Sequence, residues 1–145
     1  MIALLQRVTQ AQVTVNGNSI ATIDDGLLVL IGVEKNDTEL QADRLLTRVL
    51  GYRLFADDQD KMNLSVQDVS GGLLLVPQFT LAADTSTGKR PSFSSAALPA
   101  DGKHLFDYMA RQAKMLHSPV ATGQFGADMQ VALVNNGPVT FWLQV

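Results

Sequence analysis

The sequence predicts a single mixed α/β domain in which two main α-helices pack against a largely antiparallel sheet. Three observations support this prediction. A chain of 145 residues, 46% of them hydrophobic, can bury one core but has little room for a second, so residues 1–145 are expected to form one domain. Several segments alternate apolar and polar residues as half-buried strands do. Two longer segments repeat apolar residues at helical spacing.

The first predicted elements are strands. Residues 11–15 alternate apolar and polar side chains, and Asn16-Gly17 then offers a tight turn into a second short strand at residues 20–23, which predicts a β-hairpin. Asp25-Gly26 marks the next turn. The unbroken apolar run at residues 27–31 indicates a strand that is buried on both faces, near the centre of the sheet.

Two segments are predicted to be helical. Thr38 followed by Gln41 forms a capping-box pattern, and Gly51 is a natural end for the helix that it starts. The second helix follows Asp101 and stops before Ser118-Pro119, because the residue before a proline is disfavoured in a helix. The apolar residues at helical spacing are Leu45, Leu46, Val49 and Leu50 in the first helix, and Leu105, Phe106, Met109, Ala113 and Leu116 in the second.

Short strands and loops complete the predicted fold. Residues 53–55 and 73–76 are predicted to be strands, and Pro77 removes a backbone donor, so the residues after it should lie exposed at a sheet edge or bulge. Residues 82–95 are predicted to form a long ordered loop. Strands at residues 129–133 and 139–145 flank Asn135-Asn136-Gly137-Pro138-Val139-Thr140, and an Asn-Gly step between two strands predicts a hairpin turn.

The motifs predict no cofactor and no metal site. The acidic loop at residues 57–60 is not followed by the glycine and closing glutamate of an EF-type calcium loop. Gly88-Lys89 does not complete a nucleoside-triphosphate loop, because Arg90 replaces the Ser or Thr that would hold magnesium. His104 and His117 are not at metal-ligand spacing, and a chain without cysteine has neither disulfides nor a thiolate zinc site.

The net charge of −3 argues against broad, non-specific nucleic-acid binding, which requires many Lys and Arg contacts to phosphates. No apolar run approaches the roughly 20 residues of a membrane span, and the first residues do not resemble a signal peptide. A cytoplasmic protein without a membrane partner is therefore expected.

Two segments together carry a specific resemblance. The first is Pro77-Gln78-Phe79-Thr80-Leu81, and the second is the hexapeptide at residues 135–140. The chain resembles the D-aminoacyl-tRNA deacylases of the bacterial and eukaryotic type, whose motifs are Ser-Gln-Phe-Thr-Leu and Asn-X-Gly-Pro-Val-Thr. Only Pro77, in the place of Ser, departs from them. Further family-like segments in the same order extend the resemblance over nearly the entire chain, at residues 7–8, 11–15, 61–64, 90–93 and 122–131.

The resemblance implies a barrel-like sheet, a homodimer, and hydrolysis of the ester that joins a D-amino acid to tRNA, which is a proofreading reaction in translation. It also implies that Gly137-Pro138 is a cis peptide whose carbonyls reach the active site of the other subunit and block an L side chain. Asn135, Val139 and Thr140 complete the motif around this pair. Because glycine has no side chain to reject, glycine mischarged on tRNA(Ala) is expected to be a second substrate.

The catalytic groups of a conventional hydrolase are not evident in the sequence. Neither histidine lies near a motif, and Asp84 and Asp128 are the only carboxylates kept as candidates. Thr80 could be a nucleophile only if a base removed its proton, and it could equally be a hydroxyl that bonds nearby backbone. An ester on a terminal ribose has a vicinal hydroxyl beside it, and the resemblance also implies catalysis assisted by that hydroxyl. Backbone amides of Gln78, Phe79 and Thr80 would then stabilise the oxyanion.

Lys89 and Arg90 are the candidate tRNA contacts, because they are the nearest basic residues after the first motif, although a solvated loop is an equal alternative. Two other functions remain open. One is a threonine-dependent hydrolase of small esters, and the other is a non-catalytic dimeric protein that binds a metabolite or a partner. The departure at Pro77 is expected to leave activity intact.

Overall fold

The computed structural model describes all 145 residues as a curled six-stranded sheet with two α-helices, one short two-stranded sheet and a single 3-10 turn. In chain order the elements are β1 (Ile2–Val15), β2 (Asn18–Ile23), β3 (Gly26–Gly32), α1 (Glu39–Gly51), β4 (Phe55–Ala56), β5 (Met62–Leu64), β6 (Gly72–Pro77), the 3-10 turn (Phe79–Ala82), α2 (Pro99–Leu116), β7 (Val120–Thr122) and β8 (Gln130–Gln144). No helix is both long enough and apolar enough to cross a membrane.

The long strand β1 organises the sheet. Its first half pairs with β3 and its second half with β2, while β8 follows nearly its full length on the other side, and all three pairings are antiparallel. The strands β3, β6 and β7 then continue the sheet in parallel. The predicted mixed α/β class with a largely antiparallel sheet is therefore confirmed, and β3 is the central strand that its apolar sequence predicts.

Apolar side chains cover both faces of the sheet. Successive residues of a strand point to opposite faces, so Leu27 and Val29 of β3 join the helices in one core cluster, whereas Leu28 joins a second cluster on the other face. The second cluster includes Ile23 of β2, and β2 packs across the sheet against β6 and β7. This curling encloses the smaller core and makes the sheet barrel-like.

Several local predictions are confirmed. Asn16 and Gly17 turn between β1 and β2 with φ values of 49° and 78°, which both residues tolerate. Thr38 and Gln41 form the reciprocal capping box of α1, which ends at Gly51. The helix α2 begins two residues earlier than Asp101, because Pro99 fits the first helical position, where its missing N–H would have no partner.

The predicted acidic loop is ordered by one of its own side chains. Asp57 accepts hydrogen bonds from the side-chain amide of Asn63 and from the N–H groups of Lys61 and Gln59, and these bonds lower the pKa of its carboxyl. The acidic loop is thus a closed turn between β4 and β5. The strand predicted at residues 53–55 is found slightly later, at Phe55–Ala56.

The prediction of a hairpin turn at residues 135–140 is wrong. β8 runs from Gln130 to Gln144 without reversing direction, and both of its halves pair with β1. Gln6 faces Thr140 and Val8 faces Asn135, so two steps along β1 span five steps along β8. The extra residues of β8 form a large, irregular β-bulge, which we call the 136–139 bulge. The alternation of apolar and polar residues on both sides of Asn-Gly predicted the two halves of β8. It could not show that both halves pair with the same strand, β1.

Candidate active site

The first motif lies where β6 leaves the sheet. The N–H of Gln78 still donates to the carbonyl of Ile31 at 2.7 Å. Because neighbouring N–H groups alternate between the two sides of a strand, the nitrogen of Pro77 faces β7, whose last pairing is with Leu75. Pro77 therefore removes no hydrogen bond between β6 and β3. Its missing N–H lies on the opposite side of β6, beyond the last residue pair between β6 and β7.

Pro77→Ser is expected to change kcat/KM for D-aminoacyl-tRNA by less than about fivefold, the equivalent of one ordinary hydrogen bond. The physical reason is that Pro77 occupies the end of a ladder and not its interior. Steady-state kinetics of the two proteins on the same charged tRNA check this. A gain of about 100-fold, the size of a lost oxyanion donor, would show that the departure from Ser is costly.

The 3-10 turn places Phe79 and Thr80 at the surface, as predicted, and leaves Gln78 half-buried before it. The hydroxyl of Thr80 accepts a hydrogen bond from the side-chain amide of Gln78 at 2.5 Å. No carboxylate or imidazole is bonded to Thr80, so no base activates it. The first N–H groups of a helical turn have no acceptor within it, and no side chain caps this one. The N–H groups of Phe79 and Thr80 are thus available to a ligand, whereas that of Gln78, which the sequence also suggested as an oxyanion donor, is already bonded to Ile31.

A cleft of about 490 Å³ opens beside this turn. It lies between the ends of β3 and β6, the start of α2 and residues 125–131, and eleven of its sixteen lining residues are hydrophobic. Such a wall suits the flat face of a base and a ribose better than a row of phosphates. The aromatic ring of Phe79 packs against that of Phe93 with centroids 5.2 Å apart at its mouth. The lining residues include Ile31, Val76, Gln78, Phe79, Leu98, Phe106, Phe125 and Met129.

A second cavity of about 780 Å³ lies on the other side of residues 96–98. Four carboxylates line it, those of Glu34, Asp37, Glu39 and Asp101. Two of them, on Glu34 and Asp37, already bind the amino terminus of Met1, at 3.1 Å and 2.8 Å. An acidic cavity repels a polyanion, so the smaller apolar cleft is the candidate site for an RNA end.

The 136–139 bulge holds the second motif in a fixed shape. Arg7 of β1 donates from Nε to the carbonyl of Asn136 at 2.9 Å and from a terminal nitrogen to the carbonyl of Leu54 at 2.7 Å. Val139 is buried in the core, whereas residues 136–138 are exposed. Gly137 has a φ of 152°, and a Cβ added there would lie 2.7 Å from the nitrogen of Val139. The Gly137–Pro138 peptide bond is cis, as the resemblance implies.

The two motifs are not brought together within one chain. Gly137 and Pro138 lie at the level where Arg7 pairs with Leu27, whereas Gln78 follows the far end of β6. Five residues along a strand and three strand spacings across the sheet separate them by about 20 Å. Neither Gly137 nor Pro138 lines the cleft.

The other candidate residues fall into two groups. Lys89 and Arg90 are exposed in the loop that an Asp84–Ser92 bridge closes, four and three residues before Phe93, whose ring packs against Phe79 of the cleft. The N–H of Ser86 lowers the pKa of Asp84, which makes this carboxylate a weaker base. Asp128 is exposed and forms no ion pair.

The histidines lie outside the cleft. His104 pairs with Glu39 at 3.1 Å in the acidic cavity, and His117 donates to the carbonyl of Gly71 at 2.7 Å. Sequence reasoning missed Arg7 as the support of the bulge, because 129 residues separate it from Asn136 and no local pattern links them. It also missed the part of the cleft wall that the start of α2 contributes.

Comparisons with known proteins agree with the two motifs. Residues 4–144 match the family model described as D-Tyr-tRNA(Tyr) deacylase. A D-aminoacyl-tRNA deacylase of Pseudomonas putida strain F1 is 63% identical over 145 residues, which cover 100% of both chains. One of Herminiimonas arsenicoxydans is also 63% identical over 145 residues, covering 100% of this chain and 97% of the relative.

Two solved structures share the fold. A protein described as c-Myc DNA unwinding element binding protein superposes with a TM-score of 0.95 and 35% identity, over 100% of this chain and 99% of its own. A probable eukaryotic D-amino acid tRNA deacylase superposes with a TM-score of 0.85 at 17% identity, over 99% and 98% of the two chains. The second likeness shows the barrel-like architecture alone.

Proposed function

The chain belongs to the D-aminoacyl-tRNA deacylase family and hydrolyses D-aminoacyl-tRNA, and we propose that its active site joins the cleft of one subunit to the 136–139 bulge of another. The observation that carries this proposal is the 3-10 turn at Phe79–Ala82, where the exposed residues Phe79 and Thr80 offer free backbone donors beside an apolar cleft that has no catalytic base. The reaction adds water across the ester carbonyl and releases a free D-amino acid and the ribose hydroxyl of tRNA.

The terminal nucleoside of tRNA occupies the cleft in this proposal. Its base is flat and partly apolar, which matches the Phe125 and Met129 side of the wall. The ester carbonyl then lies at the 3-10 turn, where the N–H groups of Phe79 and Thr80 stabilise the negative charge that develops on its oxygen. The side chain of Gln78 holds the Thr80 hydroxyl and so fixes the turn.

The ribose hydroxyl next to the ester supplies the proton transfers that no side chain supplies here. It is covalently fixed beside the scissile carbonyl, so no additional group has to be brought into position. Thr80 accordingly contributes geometry and not a nucleophile. This feature also separates the proposal from a threonine-dependent esterase, which would hydrolyse small esters that lack the ribose.

A second subunit supplies the stereochemical gate. The separation of about 20 Å along the sheet between the two motifs of one chain supports a gate from another chain, because a symmetric dimer can place each bulge against the opposite cleft. The backbone of Gly137 and Pro138 would then occupy the direction that an L side chain needs. Rejection by backbone depends on the direction of a side chain and not on its chemistry.

The tRNA body needs few contacts in this arrangement. Only the acceptor end enters the cleft, and Lys89 and Arg90 stand near its mouth to meet the nearest phosphates. A small number of phosphate contacts is compatible with a net charge of −3. Because aminoacyl-tRNA is consumed in translation, the proposal also includes residence in the cytoplasm.

Matched D-aminoacyl-, L-aminoacyl- and glycyl-tRNA provide the test of function. We expect rapid hydrolysis of the D ester and measurable hydrolysis of glycyl-tRNA, including glycyl-tRNA(Ala), because a gate that works by exclusion cannot reject a missing side chain. The L ester of the same amino acid should persist, as measured by the fraction of tRNA that remains acylated. Rapid loss of the L ester would contradict the gate, and turnover of small esters without tRNA would favour the esterase.

A further inference from the structure

Asn135 closes the base of the 136–139 bulge with its side chain. Its Oδ1 accepts the N–H of Val139 at 2.7 Å, and its Nδ2 donates to the carbonyl of Val139 at 3.2 Å. The same Nδ2 lies 3.2 Å from the hydroxyl oxygen of Thr140. One carboxamide therefore bonds both backbone groups of Val139, the residue at which β8 returns towards its pairing with β1.

We propose that Asn135 is the positioning residue of the gate, on which discrimination between D and L substrates depends. The step in register between Val8 and Gln6 leaves Val139 without a pairing partner in β1, and the carboxamide of Asn135 takes the place of that partner. Arg7 holds the other side of the bulge at the carbonyl of Asn136. Gly137 and Pro138 therefore lie between two backbone positions, Asn136 and Val139, that side-chain hydrogen bonds hold in place. This inference rests on the proposed gate.

The chemistry of the site requires an amide and not a carboxylate. Bonding both the N–H and the carbonyl of Val139 needs one acceptor and one donor, and of the two isosteric side chains only that of Asn has both. An ionised Asp would retain the bond to the N–H but would face the Val139 carbonyl without a donor. Gln10 is a matched control, because its exposed carboxamide forms no hydrogen bond and it pairs with Val134, next to Asn135 but outside the bulge and the cleft.

The test compares Asn135→Asp, Asn135→Ala and Gln10→Ala in the full-length protein, with kcat/KM measured on the D and L esters of one amino acid on one tRNA. We expect the D-to-L ratio to fall by about tenfold or more in both Asn135 variants, chiefly through faster hydrolysis of the L ester, which is the effect of losing one or two hydrogen bonds. Gln10→Ala should keep the ratio within about twofold of the parent.

Thermal unfolding of each variant separates positioning from folding. If Asn135→Ala does not fold, Asn135→Asp, which keeps the size and one bond of the side chain, decides the matter. An unchanged ratio, or an equal loss of D and L turnover, would overturn the role of Asn135. A parent protein that hydrolyses D and L esters alike would instead refute the gate itself, so the two failures are distinguishable.

Discussion

Replacement of the ribose hydroxyl next to the ester by hydrogen will slow hydrolysis of D-aminoacyl-tRNA by about 100-fold or more, the range that a positioned acid or base contributes. The reason lies in the composition of the site. The hydroxyl of Thr80 is bonded only to Gln78, and both histidines lie outside the cleft. Because no protein group is placed to take over the proton transfers, we expect most of the rate to depend on the substrate hydroxyl. Single-turnover kinetics with tRNA that ends in the deoxynucleotide measure the loss.

Thr80→Ala is the matched protein variant for this experiment. It removes the hydroxyl but keeps the backbone donors of the turn, so we expect its rate on the normal substrate to fall by no more than about tenfold. Two results together would contradict the mechanism. They are undetectable turnover by Thr80→Ala and the trapping of an acyl-threonine in the parent, which would identify Thr80 as the nucleophile.

A dimer assembled from one unchanged chain and one chain with both Phe79→Pro, which removes a backbone donor from the turn, and Gly137→Ala will hydrolyse D and L esters with little discrimination. In the proposed arrangement its only intact cleft faces the altered bulge, and its intact bulge faces the altered cleft. The Gly137→Ala change displaces the bulge, because the new Cβ would lie 2.7 Å from the nitrogen of Val139. We expect the D-to-L ratio of kcat/KM to fall by about 100-fold, as the loss of steric exclusion would produce.

The opposite outcome has an equally clear meaning. If each cleft were gated by its own chain, the unchanged chain would remain both active and selective in the mixed dimer, and the ratio would equal that of the parent. Gly17→Ala serves as the control for backbone strain, because Gly17 also has a positive φ, of 78°, but a Cβ there would contact nothing within 4 Å. The two chains carry different affinity tags, so that the mixed dimer can be purified away from both homodimers before the assay.

The sequence predicts those parts of the fold whose causes are local. The capping box of Thr38 and Gln41 and the Asn16-Gly17 turn depend on residues within a few positions of one another, and both form as predicted. Gln78 to Thr80 could be located because a proline ends the preceding strand. The central strand β3 was identified from its unbroken apolar run.

The bulge could not be predicted, because its cause is distant in the sequence. Asn-Gly between two strand patterns suits a hairpin, and only the length of β1, which pairs with both halves of β8, turns the segment into a bulge. The support from Arg7 crosses 129 positions, and the cleft combines residues of four separate segments. Pairing partners at such distances are decided by tertiary packing and leave no periodic signal.

The placement of the 136–139 bulge also bears on solubility. β8 pairs with β1 on one side only, so its other side presents unpaired N–H and carbonyl groups along a strand of 15 residues. A straight strand of that length would be a template for adding strands from other molecules. The bulge divides it into two short runs that are out of line with each other, and such an interruption opposes aggregation. The segment proposed to reject the wrong substrate thus also discourages the wrong kind of assembly.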